Sequence, residues 1–469
     1  MNRLASPSPV GSYGQPRHYG LAVPNLNRPA DAVGRGVAVF AFAALLTATI
    51  ALNSFKIGWF PIRGLATGGV LILTVLFYFD VAKRMLEKNL LLLTLAAGLA
   101  VLGVFVSVAN GAPASAILRS LAEVHLQAAA TILVAAILAQ VAGARACAIA
   151  IVAVIGASAC VAVAQMMDIQ SAWALRRALG PLSSEEIEGL NLLERRPSGL
   201  SYSAIQLSTH LCLAFAAFVA VRNRLRGTTN GADPLVVPAL LALFAASLVC
   251  ATRSPILGGF VFIAAYAVQR RTSWLPLFLI LAAVAAYFVW PLLMGVVETT
   301  APRVVQTDDN SVASRSTLVY YGLRLFVDNP LGYGLTFAPM TLWHSYWPEL
   351  YMMQAPRGVR ENYLHNYLVT MLNIYGIGLL LLAPVIARLL WNSKASFIFF
   401  IPYLVHILFH NSGPFSNDNV IWFVIAAIAA TNHGHEAHSN AGQRLIGSRT
   451  LRSRRMRPPH RSYTAGVAD

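Results

Sequence analysis

Among the ionisable side chains of this sequence, three arginines and one histidine stand where chemistry would need them: Arg196, Arg253, Arg315 and His365. A guanidinium stays charged at any relevant pH and grips an oxyanion through two parallel hydrogen bonds. An imidazole titrates near neutrality and can take a proton from a hydroxyl within hydrogen-bond reach. Each also has a plainer reading. Arg253 lies in the short hairpin Cys250-Ala-Thr-Arg-Ser-Pro255, between two apolar runs and without an acidic neighbour. Such a charge is costly unless something anionic meets it, which favours a functional role. Arg196, in Arg195-Arg-Pro-Ser-Gly199, stands where the chain turns back into an apolar run; an interfacial anchor and a ligand-binding role are both open. His365, in Asn362-Tyr-Leu-His-Asn366, follows a long polar segment, 298–361, and enters the next apolar run. A lone histidine there is ordinarily a headgroup-level residue; its company suggests catalysis. Arg119 and Glu123, four apart on one helix face, are expected to neutralise each other.

The elements that position these residues follow from composition. The 469 residues are 57% hydrophobic and 12% charged, about half the charged share of a soluble chain. Apolar runs long enough to cross a hydrocarbon core of about 30 Å recur along the chain. They are centred near Leu45, Leu71, Ala100, Leu133, Ile155, Phe215, Leu243, Phe262, Ala283, Leu379, Tyr403 and Ile425. No ten-residue alternation suggests a barrel, so helices must span. The expected fold is all-α: a polytopic integral membrane protein of about 12 transmembrane helices with a large, partly helical periplasmic loop. Residues 1–35 are expected to form a disordered cytoplasmic tail without a removable signal peptide. Residues 36–432 form the membrane domain, including the outer loop 298–361, and 433–469 a basic, disordered cytoplasmic tail.

Orientation comes from the basic residues. With the amino terminus inside, Lys83, Arg84, Lys88, Arg145, Arg222, Arg224, Arg226, Arg270, Arg271, Arg388 and Lys394 all fall on inner loops, and the +16 net charge becomes an inner-face property. Both termini are therefore expected in the cytoplasm. The Arg-rich tail from Arg444 to Arg461 reads as a topogenic segment near anionic lipid rather than a nucleic-acid patch. Cys147, Cys160, Cys212 and Cys250 lie in or at the ends of apolar runs without paired spacing, as free thiols. No zinc spacing, P-loop, dinucleotide fingerprint or internal repeat is present; Gly332-Tyr-Gly334 is too short to count as one.

The outer segment begins at Asp308-Asp-Asn-Ser-Val-Ala-Ser-Arg315, continues through an amphipathic piece from Leu318 to Asp328, and reaches the loop signal Asn329-Pro-Leu-Gly-Tyr-Gly334. It then carries Trp343, His344, Tyr346, Trp347 and Tyr351. Those aromatics suit stacking on sugar rings and equally suit a membrane interface.

The ordered set Arg196-Pro-Ser-Gly199, Thr252-Arg-Ser254, Ser314-Arg315, Asn329-Pro-Leu-Gly-Tyr-Gly334, His365-Asn-Tyr-Leu368 and Gly376-Ile-Gly378 resembles the O-antigen ligase and polysaccharide polymerase superfamily, over about 196–428. The order of the elements, the span number and the large loop before the histidine carry the resemblance jointly. It implies a bacterial inner-membrane enzyme using an undecaprenyl-diphosphate-linked glycan as donor, with another glycan or a lipid-A core as acceptor, membrane lipid as surroundings and a chain-length regulator as a further partner. No nucleic acid is implied. It further implies outward-facing arginines and a loop histidine as essential groups: Arg196, Arg253 and His365 as catalytic residues, with Arg315, Asn366 and Tyr363 binding substrate.

Elementary chemistry is consistent with those roles. Glycan transfer from a lipid diphosphate needs charge stabilisation on the leaving group, which arginines supply, and removal of the acceptor proton, which His365 supplies. The outer side carries only the adjacent Asp308-Asp309 and no Asp-x-Asp pair, so a metal-independent transfer is expected, without cofactor. Direct displacement would invert the anomeric centre. A transporter or flippase of lipid-linked glycans is the alternative; it would favour polar pairs at mid-membrane and repeated halves, which the sequence lacks.

Overall fold

The computed structural model describes residues 32–58, 60–180, 196–226, 233–270, 310–353, 356–416 and 418–431. Both expected terminal tails lie almost wholly outside these residues, as do the apolar run centred near Ala283 and Asp308-Asp309. The described chain is helical apart from a two-residue hairpin, Lys56–Ile57 against Phe60–Pro61. In order come α1 (Ala32–Ala51), α2 (Ile62–Phe77), α3 (Phe79–Lys88), α4 (Leu90–Ala109), α5 (Ala114–Ala142), α6 (Ala144–Met166) and α7 (Gln170–Ala178). After them come α8 (Ala204–Arg226), α9 (Val236–Val249), α10 (Ser254–Arg270), α11 (Asn310–Asp328), α12 (Tyr367–Ser393), α13 (Ile398–Leu408) and α14 (Val420–Ala429).

Every described apolar run expected from the sequence is a helix, but their lengths differ. Six, α1, α4, α5, α6, α8 and α12, are long and apolar enough to cross a membrane, and α2 with α3 makes a further pair bent by 114°. The helices α9, α10, α13 and α14 are apolar but shorter, below the roughly 20 residues that a straight crossing needs. Composition marks them only as apolar; their breaks come from features that hydropathy does not register, such as Pro402 near the start of α13 and the loop around Gly413 before α14.

The core is built where helices have no lipid-facing side. Most of α8 is buried, packed against α6 and α14, while α5 packs against α14 and α1; Phe42, Phe215, Phe262 and Phe423 lie in this core. Edge-to-face contacts join Phe42 to Phe423 at 5.2 Å and Phe215 to Phe262 at 5.0 Å, a geometry favoured by the ring quadrupole. A separate small core, Leu318, Tyr321, Leu325, Leu350, Val359, Leu364 and Val369, holds α11 and the segment after it against α12.

The bundle has two chemically distinct ends. At one, Arg222 and Arg226 contact Asp233 at 2.5 and 2.7 Å, and Arg224 donates to the Ile428 carbonyl and to Ser396. At the other lie the start of α8, the turn between α9 and α10, the start of α12 and the end of α13. The four candidate residues all belong to that second end.

Candidate functional site

The turn that carries Arg196 is held by amide chemistry from α6. The Gln165 side-chain carbonyl accepts from the Ser198 and Gly199 amides at 3.0 and 2.9 Å, while its NH2 donates to the Gly199 carbonyl at 3.1 Å. The Leu200 amide donates to Ser158 Oγ at 2.9 Å, and the buried Arg176 guanidinium donates to the Ser201 carbonyl at 2.6 Å. Gly199 has φ +61°, and a Cβ there would lie 2.2 Å from the Ser158 carbonyl oxygen. Only glycine meets both conditions.

Held this way, Arg196 is buried and donates from Nη2 to the Ala251 carbonyl at 3.2 Å. Ala251 is in the left-handed region, φ 50°, within the turn that leads to Arg253. A non-glycine residue is strained there, and such strain persists only where surroundings over-determine it. The Arg196 contact and the Thr252 Oγ1 contact to Ser208 Oγ at 2.6 Å are two of those surroundings. Arg196 thus braces the turn whose next residues are Arg253 and Ser254, the first residue of α10.

Arg253 and Ser254 open onto a cavity of about 690 Å³ shared with Arg315 and Ser316 of α11 and with His365 and Asn366 before α12. Its remaining lining is Leu257, Val319, Tyr320, Leu323, Leu408 and Phe409. The cations and the imidazole therefore share a chamber with a large apolar wall. Several wall residues, including Leu257, Leu323, Leu408 and Phe409, are also substantially exposed at the helix surfaces, so the apolar part faces outward from the bundle.

Arg253, Arg315, His365 and Asn366 are brought together in this chamber; Arg196 and Tyr363 are not among the residues that line it. Tyr363 is half exposed. The Asn366 side chain also makes two structural bonds: its carbonyl accepts from the Val369 amide at 3.1 Å as the helix cap of α12, and its NH2 donates to the Leu408 carbonyl at 2.9 Å. It seats His365 beside the end of α13. Arg119 and Glu123 pair with each other at 3.1 Å, and Lys56 joins Glu123 at 3.0 Å. Trp343 packs against Trp347 at 5.2 Å and lies under the Arg360 guanidinium at 4.7 Å.

Sequence reasoning missed the groups behind the chamber. Ser254 Oγ lies 2.8 Å from His406 Nδ1 and 3.3 Å from His410 Nε2, and His406 Nε2 lies 3.0 Å from Thr209 Oγ1. Deeper, Ser201 Oγ, His210 and Asp418 are linked by two contacts of 3.0 Å. A signal was present: His406 and His410 are four apart, the spacing of one helix face, in an otherwise apolar run. Among the described residues, no group of three or more His, Cys, Asp or Glu side chains is arranged to hold a metal ion.

Residues 236–384 match the O-antigen ligase family. The match covers about a third of the chain, from α9 into α12, and includes Arg253, Arg315 and His365 with the loop from Asn329 to Gly334. The resemblance to the O-antigen ligase and polysaccharide polymerase superfamily is thereby supported. Arg196 precedes the matched segment, and His406 and His410 follow it. No curated protein matches the chain.

Proposed function

We propose that this protein is a membrane glycosyltransferase that moves or polymerises an undecaprenyl-diphosphate-linked glycan onto an acceptor sugar hydroxyl at the periplasmic face of the bacterial inner membrane. The observation that carries this reading is one chamber holding two guanidiniums and an imidazole beside an apolar wall. A lipid diphosphate has that same division, an anionic head on a hydrocarbon chain. The apolar wall takes the isoprenoid, and Arg253 and Arg315 meet the diphosphate. Arg196 acts through the turn that carries Arg253.

In the reaction, His365 takes the proton of the acceptor hydroxyl as its oxygen attacks the anomeric carbon. The bond from that carbon to the phosphate oxygen breaks, and undecaprenyl diphosphate leaves with the electron pair. A single displacement inverts the anomeric centre and needs no metal in this reading, because the two guanidiniums neutralise the leaving group. The acceptor is a further repeat unit in polymerisation or a lipid-A core in ligation, within exopolysaccharide or O-antigen synthesis.

Purified protein in proteoliposomes, supplied with lipid-linked repeat units, is expected to form new glycosidic bonds. His365→Ala is expected to lower the rate at least 100-fold while donor binding persists. Movement of donor across the bilayer without bond formation would instead support a transporter.

A further inference from the structure

A second cavity, of about 330 Å³, lies between α3, α4, α5 and α14. The direction of two of those helices orients it. His125, in the first half of α5, stacks on Phe415, just before α14, at 6.3 Å between ring centroids. The two helices pack together and run the same way from there. Arg224 donates to Thr431 just past the end of α14 at 3.3 Å, so both run toward the arginine end.

The lining follows α5 from Ile132 to Gln140 and α14 from Trp422 to Ala430. At 1.5 Å per residue each stretch spans about 12 Å, a narrow slot rather than a shallow dent. Its two ends differ. Trp422 and Ile132, at 2% and 3% exposure, close the deep end. Lys88, Asn89 and Gln140 stand at the other, exposed or half-buried.

Helix α3 makes the mouth. It is bent by 114° from α2, and its residues Ala82 and Met85 are buried against Ala136 and Ile137 of α5, while Lys83, Arg84, Glu87 and Lys88 are exposed. A short helix with one apolar and one charged face, set between two spans, belongs at the membrane surface. The chain turns from it at Asn89 into α4, and the slot opens beside that turn.

Water finds few partners against the apolar depth of such a slot, whereas a hydrocarbon chain finds many. The mouth suits a phosphate. Lys88 makes a contact of its own within the chain, but an ammonium has three hydrogens and can keep that contact while meeting an anion. The Asn89 NH2 gives one hydrogen to the Met85 carbonyl at 2.8 Å and has a second. Among the described residues of the lining there is no carboxylate to repel an anion.

We propose that this cavity binds one anionic phospholipid from the leaflet at the arginine end, its phosphate at Lys88, Asn89 and Gln140 and one acyl chain lying along α5 and α14 as far as Trp422. Basic pockets between spanning helices on the cytoplasmic side are suited to lipid headgroups. The lipid ties α3 and the start of α4 to α14, whose opposite end is held through Asp418 and His210. The site is separate from the chamber, and the inference holds whether or not the protein transfers glycans.

Trp422 is the reporter, because so buried a ring is out of contact with the lipid that surrounds the protein. Full-length protein in detergent is titrated with phosphatidylglycerol brominated on its acyl chains, and the quenching that disappears in Trp422→Phe belongs to the cavity. That component is expected to saturate, and phosphatidylcholine with the same chains should reach it only at higher concentration. Lys88→Gln is expected to weaken phosphatidylglycerol about fivefold, the worth of one lysine beside anionic lipid, and to leave phosphatidylcholine unchanged. Lys88→Arg keeps the charge and should keep the parental affinity. Glycerol phosphate, a head without chains, should not displace the lipid at equal concentration. Ala429→Trp, at an exposed position of the lining, blocks entry, and native mass spectrometry should show it without the phosphatidylglycerol that the parent retains. Absence of a Trp422 component, equal affinity for the two lipids, unchanged affinity in Lys88→Gln, displacement by glycerol phosphate alone, or full lipid retention in Ala429→Trp would overturn the proposal.

Discussion

At the scale of single residues, the chamber distinguishes charge from shape. Arg253 follows a strained turn in which the Ala251 carbonyl is held by Arg196, so its backbone enters the chamber from a fixed position. Lysine keeps the charge but loses the planar fork. Arg253→Lys is therefore expected to lose about 10²- to 10³-fold in kcat, the range for removing one electrostatic donor to a developing charge, while the protein still inserts. Retention of more than a third of the parental rate in single-turnover assays would mean that Arg253 serves only as a point charge. Asn366 sits beside His365 in a chamber of the expected composition, yet both ends of its amide cap or tether helices.

At the scale of elements, the outer segment is locked to α12 by backbone. Tyr333 and Gly334 donate their amides to the Asn373 and Ile374 carbonyls at 2.7 and 2.9 Å, and the Ile377 amide donates to the Pro330 carbonyl at 2.8 Å. Asn373 adds a side-chain bond to the Gly322 carbonyl at 2.8 Å, tying in α11 and thus Arg315. The lock requires contact closer than any side chain permits: Gly376 has φ +61°, and a Cβ on it would lie 2.2 Å from the Leu331 carbonyl carbon. Gly376→Ala is expected to destabilise by about 1–3 kcal/mol or more. In detergent it should lower Tm clearly and reduce activity with it. Gly69→Ala is the control, since its added Cβ meets nothing within 4 Å. Equal Tm values for the two variants would refute the lock.

At the scale of the whole molecule, the two ends of the bundle differ in their chemistry. The chamber lies at one end, and the cluster of Arg222, Arg224 and Arg226 at the other. Lys88 shares a second cavity, of about 330 Å³, with Gln140 and Ala430, which places α3 toward the arginine end. Basic clusters favour the cytoplasm, so the chamber should face the periplasm. In a Cys160→Ser background, Tyr363→Cys is expected to react with an impermeant thiol reagent on intact cells. Glu87→Cys, on α3, should react only after the inner membrane is opened. The reverse pattern would invert the proposed orientation and remove periplasmic chemistry.

Composition and periodicity alone determined that the chain is helical and membrane-bound, because a hydrocarbon solvent leaves backbone groups no other way to be satisfied. The motif order likewise pointed to Arg196, Arg253, Arg315 and His365, since basic residues beside apolar runs are costly enough to be visible one residue at a time. The lengths of α9, α10, α13 and α14 were not legible, because hydropathy reports burial and lipid contact alike. Nor was the placement of Arg253 in the lining of the chamber and of Arg196 outside it, or the run of polar contacts from Thr209 through His406 and Ser254 to His410. Those depend on distances between residues as many as 201 positions apart, and only the packing of α8, α10 and α13 brings such residues within hydrogen-bond reach.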